Sequence, residues 1–191
     1  MLPPISRRGL CVFYSFLEPT QTISRLYHPV QILSSLSQTV ITPKWVFHHT
    51  TGTFSPEDKR QIAQGMTKIY SSVGLPPFYS NTHFIELNAD SIFAGGESPK
   101  ALTTVSIYHV ARTLATPDVQ DFFMKALDDV LRPIMKPKGI KWELAIYEGD
   151  IEYWRINGIR PPAQGSEMEK KWFDANQVTD EEELFRAQER P

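Results

Sequence analysis

The sequence predicts an α+β fold in which two fused β-α-β units make a four-stranded mixed sheet with both helices on one face, followed by a C-terminal arm. Three observations predict it. Runs rich in β-branched and aromatic residues alternate with apolar stripes at helical spacing. The pattern occurs twice, because a shift of 61 residues lays Ser55-Pro56 on Thr116-Pro117, Phe47-His48 on Tyr108-His109 and Pro43 on Thr104. Each helix start carries a hydroxyl N-cap followed by proline, which marks the same boundary in both units.

The elements follow in order. Residues 43–50, Pro-Lys-Trp-Val-Phe-His-His-Thr, form the first strand. Gly52 precedes Ser55-Pro56-Glu57-Asp58, an N-cap, a proline at the first helical position and acids in the first turn. Ile62, Met66, Ile69, Tyr70 and Val73 fall on one face of a helix over 56–73, closed by Gly74, Pro76 and Pro77. A second strand over 79–87 leads through a turn at Gly95-Gly96 to a third over 103–110. Val119, Phe122, Phe123, Ala126, Leu127, Val130 and Leu131 stripe a helix over 117–132, and 139–147 is the fourth strand. The right-handed crossover makes the two strands of each unit parallel and leaves the second sheet face uncovered. Unless the C-terminal segment covers it, such a partly apolar face predicts association with other copies. After Tyr147 the pattern weakens. Eight acids against four bases after Ser166 suggest a solvated arm, with an acidic tail over 176–191 and capping-box spacing at Thr179-Asp180-Glu181-Glu182.

A chain of 191 residues is one domain of ordinary size plus an extension, long enough to bury a core without staples. Cys11 is the only cysteine, so no disulfide closes within one chain and a reducing compartment is favoured. The net charge of −2 lacks the basic footprint of nucleic-acid binding, and no apolar run approaches the roughly 20 residues that span a bilayer. Neither nucleic acid nor membrane is expected as a partner; a small neutral or anionic ligand is. Residues 1–42 differ in kind: Arg7, Arg8 and Arg25 stand against Glu18 alone, Ser and Thr are frequent, and one apolar run extends from Leu10 to Leu17. Three readings stay open for them: a disordered tail, sequence that the mature protein never contains, or a mitochondrial presequence. The expected location is cytoplasmic, or mitochondrial under the third reading.

Pro43 poses the chemical question. As the first residue of a chain its ring nitrogen would be a secondary amine, able to take and give protons near neutral pH. Behind Thr42 it is a tertiary amide with no proton and no basic lone pair. As a plain structural residue, a proline at the start of a strand is also unremarkable, because it needs no ladder donor there. His48 and His49 are neighbours on a strand, point to opposite faces and cannot share one metal ion. Gly95-Gly96 lacks the strand-helix context of a phosphate loop. Trp142, Trp154 and Trp172 fit core or interface positions. No metal and no cofactor are expected.

The Pro43 to His49 opening, Phe54-Ser55-Pro56-Glu57-Asp58-Lys59, Phe93-Ala94-Gly95-Gly96, His109-Val110-Ala111-Arg112 and Trp154-Arg155-Ile156-Asn157-Gly158 together resemble the tautomerase superfamily. The branch they are most similar to is the fungal group resembling cis-3-chloroacrylic acid dehalogenase, over residues 43 to about 175. The resemblance implies an amino-terminal catalytic proline at Pro43. It also implies a carboxylate clamp of two arginines, with Arg112 in the second place and His109 in the first. A helix histidine of the pattern falls on Tyr70, its tyrosine lies near Tyr147, and its water-activating glutamate falls around Glu152 and Arg155. The implied set is therefore Pro43, Arg112, His109, Tyr70 and Arg155 for catalysis, with Arg112, Tyr147 and Glu152 for substrate. Without a placed carboxylate, hydration of a haloacrylate loses its general base. Proton transfer on an enol or keto acid is the expected chemistry, and a homotrimer is the assembly that the resemblance implies. The rival expectation is a trimeric binding or structural protein whose extension blocks Pro43.

Overall fold

The computed structural model describes residues 43–110 and 112–188. The three readings of residues 1–42, and Cys11, lie outside the described residues. Strands β1 (Lys44–Thr50), β2 (Asn81–Leu87), β3 (Leu102–His109) and β4 (Lys141–Glu148) form one sheet in the order β2-β1-β3-β4. The pairs β1–β2 and β3–β4 are parallel, and the central pair β1–β3 is antiparallel. Each parallel pair is bridged by a helix, α1 (Pro56–Ser71) or α2 (Pro117–Met135). The fold is the expected one: a mixed four-stranded α+β sheet built from two β-α-β units.

Alternation along the strands decides which side is the core. Trp45, Phe47, Val105 and Ile107 lie on one face and meet Ile62, Met66 and Tyr70 of α1 and Phe123, Leu127 and Leu131 of α2 in one buried cluster. Both helices therefore cover the same side. Ile85, Tyr108 and Tyr147 point the other way and stay exposed among the described residues, with Tyr108 and Tyr147 stacked on neighbouring strands. His49 is buried on the helix side, and its neighbour His48 belongs to the opposite face.

The helix starts are built as their sequences require. The Ser55 hydroxyl accepts from the Asp58 amide while the Asp58 carboxylate accepts from the Ser55 amide, closing a capping box, and Thr116 caps α2 through the Val119 amide. Helix α2 passes position 132 and carries Pro133 inside it, because Leu131 and Met135 continue the buried stripe. The second strand starts at Asn81 and not at 79, since Pro77–Tyr79 form a 3-10 turn that buries Tyr79.

The repeat extends further than the sequence pattern showed. After β2, Ala94 and Glu97 pair across Gly95-Gly96; after β4, Ile156 and Ile159 pair across Asn157-Gly158, and all four turn residues have positive φ. The weak pattern after Tyr147 is thus the second copy of the first unit's hairpin. The segment after Ser166 is not the solvated arm that its charge suggested. Helix α3 (Glu167–Ala175) buries Trp172 fully against Phe78 and Tyr79. Helix α4 (Glu181–Gln188) packs Leu184 on the core, and its Gln188 side chain accepts from the Arg160 amide at the second hairpin. Both helices are amphipathic with most of their charges outward, so counting acids recorded mainly their solvent side.

The crossing of α1 and α2 depends on Gly65, where an added Cβ would stand 2.7 Å from a Val130 methyl. Alanine would gain about 1 kcal/mol of helix propensity there, but overpacking a stiff β-branched neighbour costs about 1–3 kcal/mol. Gly65→Ala should therefore lower stability in urea unfolding. Gly65→Ala combined with Val130→Ala should lose less than the separate effects add up to.

Candidate active site

Chain direction places the candidate residues. The antiparallel register pairs Lys44 with Tyr108, and one step further sets Pro43 across from His109. Pro43 is buried, and its carbonyl accepts from the Asn81 amide at 3.1 Å. Helix α1 runs back along the sheet and ends at the same edge, which brings Tyr70 there. Arg112 follows directly after β3, and Glu148 ends β4 opposite His109. Four sequence-predicted residues, Pro43, Tyr70, His109 and Arg112, thus share one end of the sheet.

A cavity of about 250 Å³ opens beside three of them, Tyr70, His109 and Arg112, with Ile69, Val119 and Phe123 in its wall; Pro43 is not among its lining residues. Mostly apolar walls with a few convergent polar groups are the usual character of a small-ligand site. A second cavity of about 280 Å³ adjoins it at His109 and Arg112 and includes Glu148 and Asp150. Among the described residues, no group of three or more histidine, cysteine or acidic side chains is arranged to hold a metal ion.

The electrostatics favour neutral side chains around a cation. Burial lowers the pKa of His109 below the ordinary histidine value, and the Arg112 backbone and the Glu148 carboxylate only partly oppose it. Burial drives the Tyr70 phenol far above its ordinary value, so it serves as a hydrogen-bonding hydroxyl and not as a base. The Tyr70 hydroxyl lies 3.3 Å from Trp45 Nε1 and 3.3 Å from His109 Nδ1.

Arg112 already holds a carboxylate, that of Glu169. Its Nη2 donates to both Glu169 oxygens at 3.1 and 3.4 Å, and the Gly165 amide donates to the same carboxylate at 2.7 Å. The Glu169 side chain is 7% exposed and that of Arg112 15%. Sequence reading missed Glu169 by assigning it to an arm. The Ser166 to Glu169 capping spacing was the available signal, and the Ser166 hydroxyl does accept from the Glu169 amide. Trp45 was also passed over as a core aromatic.

The other expected residues stand elsewhere. Tyr147 lies on the open sheet face, stacked on Tyr108. Glu152 is exposed and paired with Arg160. Arg155 is exposed and donates to the backbone carbonyls of Glu152 and Trp154. None of the three lines the cavity at Tyr70, His109 and Arg112.

A profile of the family described as "Putative oxalocrotonate tautomerase enzyme" matches residues 42–177. The chain belongs to this tautomerase family. Among solved structures, it is 41% identical to "a probable enzyme from the thermophilic fungus Aspergillus fumigatus", at a TM-score of 0.70 over 73% of this chain and 97% of that one. Native RhCC from Rhodococcus jostii RHA1 is 31% identical, at a TM-score of 0.69 over 71% of this chain and 98% of that one. A member of the cis-3-chloroacrylic acid dehalogenase family shares the fold at 15% identity and a TM-score of 0.52, over 75% of this chain and 96% of that one. No protein of curated function matches the chain. As a tautomerase-family chain, it shares its fold with these structures.

Two outcomes follow for this candidate site. Glu169→Ala leaves a mostly buried guanidinium without its carboxylate and should cost about 3–5 kcal/mol in denaturant unfolding, with Glu169→Gln losing less. Unfolded histidine titrates near about 6.5, above the folded His109. As pH falls through that value the unfolded state takes up the proton first. The contribution of neutral His109 is therefore full above about pH 6.5 and is lost as pH falls toward the folded pKa. Unfolding curves on either side of about pH 6.5 should show a smaller acid loss for His109→Asn than for the parent.

Proposed function

We propose that this chain is a tautomerase-like enzyme, catalysing proton transfer on a small unsaturated or keto carboxylic acid through an amino-terminal Pro43. The observation that carries the reading is the meeting of Pro43, Tyr70, His109 and Arg112 at one edge of the sheet beside a small, mostly apolar cavity. A free chain-terminal amine titrates near about 7.7–8, and a neighbouring guanidinium in a dry pocket lowers that value. One group then takes a proton from carbon and returns it elsewhere near neutral pH. Arg112 attracts the substrate carboxylate, while Tyr70 and His109 offer uncharged hydrogen bonds. Arg155, Tyr147 and Glu152 reach a substrate only if a neighbouring subunit brings them to the site. A homotrimer built on the open face of Ile85, Tyr108 and Tyr147 is the assembly we propose for that purpose. Residues 43–175 would be the catalytic domain, working in the cytoplasm, or in mitochondria if residues 1–42 address it there.

A second reading is supported by Glu169, whose carboxylate sits on Arg112, and by the peptide bond between Thr42 and Pro43. Under it the same fold serves as a trimeric binding or structural protein without proline catalysis.

The two readings separate in one experiment. A chain beginning Met-Pro43, with its methionine removed, should turn over phenylpyruvate enol, and Pro43→Ala in that chain should slow turnover strongly while leaving the circular dichroism spectrum unchanged. The 191-residue chain with Thr42 attached should be inactive. Equal activity of the long and short chains, with mass spectrometry showing no cleavage at Thr42, would exclude the proline mechanism.

A further inference from the structure

Trp45, Tyr70 and His109 form a buried polar chain along the candidate pocket, running from β1 to the end of α1 to the end of β3. Trp45 is fully buried, Tyr70 is 2% exposed and His109 3%. The three atoms are spaced evenly, indole Nε1 to phenol oxygen at 3.3 Å and phenol oxygen to His109 Nδ1 at 3.3 Å. His109 Nε2 has no partner in hydrogen-bond geometry among the described residues, the Arg112 backbone also acts on the ring, and His109 lines both cavities that meet at Arg112.

Donor and acceptor counting fixes the direction of the chain. An indole N–H only donates, so the Tyr70 oxygen accepts from Trp45 and its own proton needs an acceptor. His109 Nδ1 is the acceptor within reach. If Nδ1 carried a proton instead, the phenol proton would be left buried without a partner, at a cost of about 1–3 kcal/mol. With Nδ1 accepting, the neutral ring keeps its proton on Nε2.

We propose that Trp45, acting through Tyr70, holds His109 as the Nε2–H tautomer, so that the pocket presents an uncharged hydrogen-bond donor beside Arg112. Trp45 is then a positioning residue, and a ligand of this site needs two anchors: an anion for Arg112 and an oxygen acceptor for His109 Nε2–H. A 2-oxo or 2-enol carboxylate carries both on adjacent carbons, whereas a simple alkyl carboxylate lacks the second. The choice of ligand class rests on the enzyme reading above; the tautomer does not. Burial lowers the His109 pKa and so keeps the ring neutral at neutral pH. The charged or titratable groups around it are Tyr70 on α1, Arg112 after β3, Glu148 at the end of β4 and the nitrogen of Pro43 where that residue begins a chain.

The test needs neither substrate nor a free proline, so its failure and the failure of the enzyme reading are separable. Long-range proton–nitrogen correlation spectra of the nitrogen-15-labelled 191-residue chain, with His109 assigned through His109→Asn, report which ring nitrogen bears the proton. The expected spectrum shows a protonated Nε2 and a bare Nδ1 at neutral pH. Tyr70→Phe, nearly isosteric, should abolish that preference and give a mixed or reversed ring. The Trp45 indole proton should shift in the same variant, a readout that does not depend on Trp45→Phe folding. A parent ring protonated on Nδ1, or a Tyr70→Phe ring still fixed as Nε2–H, would overturn the proposal. An indole proton unmoved by Tyr70→Phe would remove Trp45 from the chain.

Discussion

The antiparallel pairing of β1 with β3 is the constraint on which the rest of this structure depends. Each β-α-β unit alone has parallel strands and one helix, with its strand starts and strand ends at opposite edges. Joining two units through their first strands puts the start of one beside the end of the other. That is why Pro43, which opens β1, faces His109, which closes β3, and why the C-terminal end of α1 contributes Tyr70 to the same edge. The segment after β3 and the last residue of β4 then bring Arg112 and Glu148 without any long excursion of the chain. Gly65 at the helix crossing supports the arrangement from behind, since it lets α1 and α2 approach closely over the sheet.

The candidate site sets neutral side chains around a single guanidinium, with the carboxylates of Glu148 and Glu169 at its margins. Tyr70 and His109 are kept neutral by burial, and Arg112 supplies the cation. Glu169 is the counterweight, placed by α3 after the second hairpin and held by both Arg112 and the Gly165 amide. A carboxylate ligand of the kind proposed would therefore meet a guanidinium already engaged by Glu169. Displacing Glu169 from Arg112 would mean moving a helix whose Trp172 is fully buried. The C-terminal segment is in this sense part of the site, although it follows both repeat units.

The repeat was legible because two kinds of signal agree in it: hydroxyl-proline caps at both helix starts, and apolar spacing that changes from strand to helix period. Boundaries moved where local chemistry competes with pattern. Pro77 turns the chain before β2 can begin, and the buried Met135 carries α2 past Pro133. The site was legible only in its residues of strong type. Pro43, Tyr70, His109 and Arg112 stand together, whereas Tyr147 lies on the sheet's open face and Glu152 and Arg155 outside the cavity, because spacing after β4 does not say which way a hairpin folds back. Glu169 was hidden by its surroundings in sequence. The exposed acids among the eight after Ser166 conceal Glu169, the carboxylate of α3 that turns inward. Trp45 was hidden for a different reason: an indole looks apolar in a pattern, and its single donor matters only once a partner is in place.

The proposed proton transfer rests on one covalent fact, whether the nitrogen of Pro43 is an amine or an amide, since no rearrangement of the fold converts one into the other. The direct measurement is the intact mass and N-terminal sequence of the protein isolated from its own source. The account predicts a chain that begins at Pro43 with an unmodified secondary amine. A mature chain that retains Thr42 on Pro43 would contradict it and leave the fold as a binding scaffold.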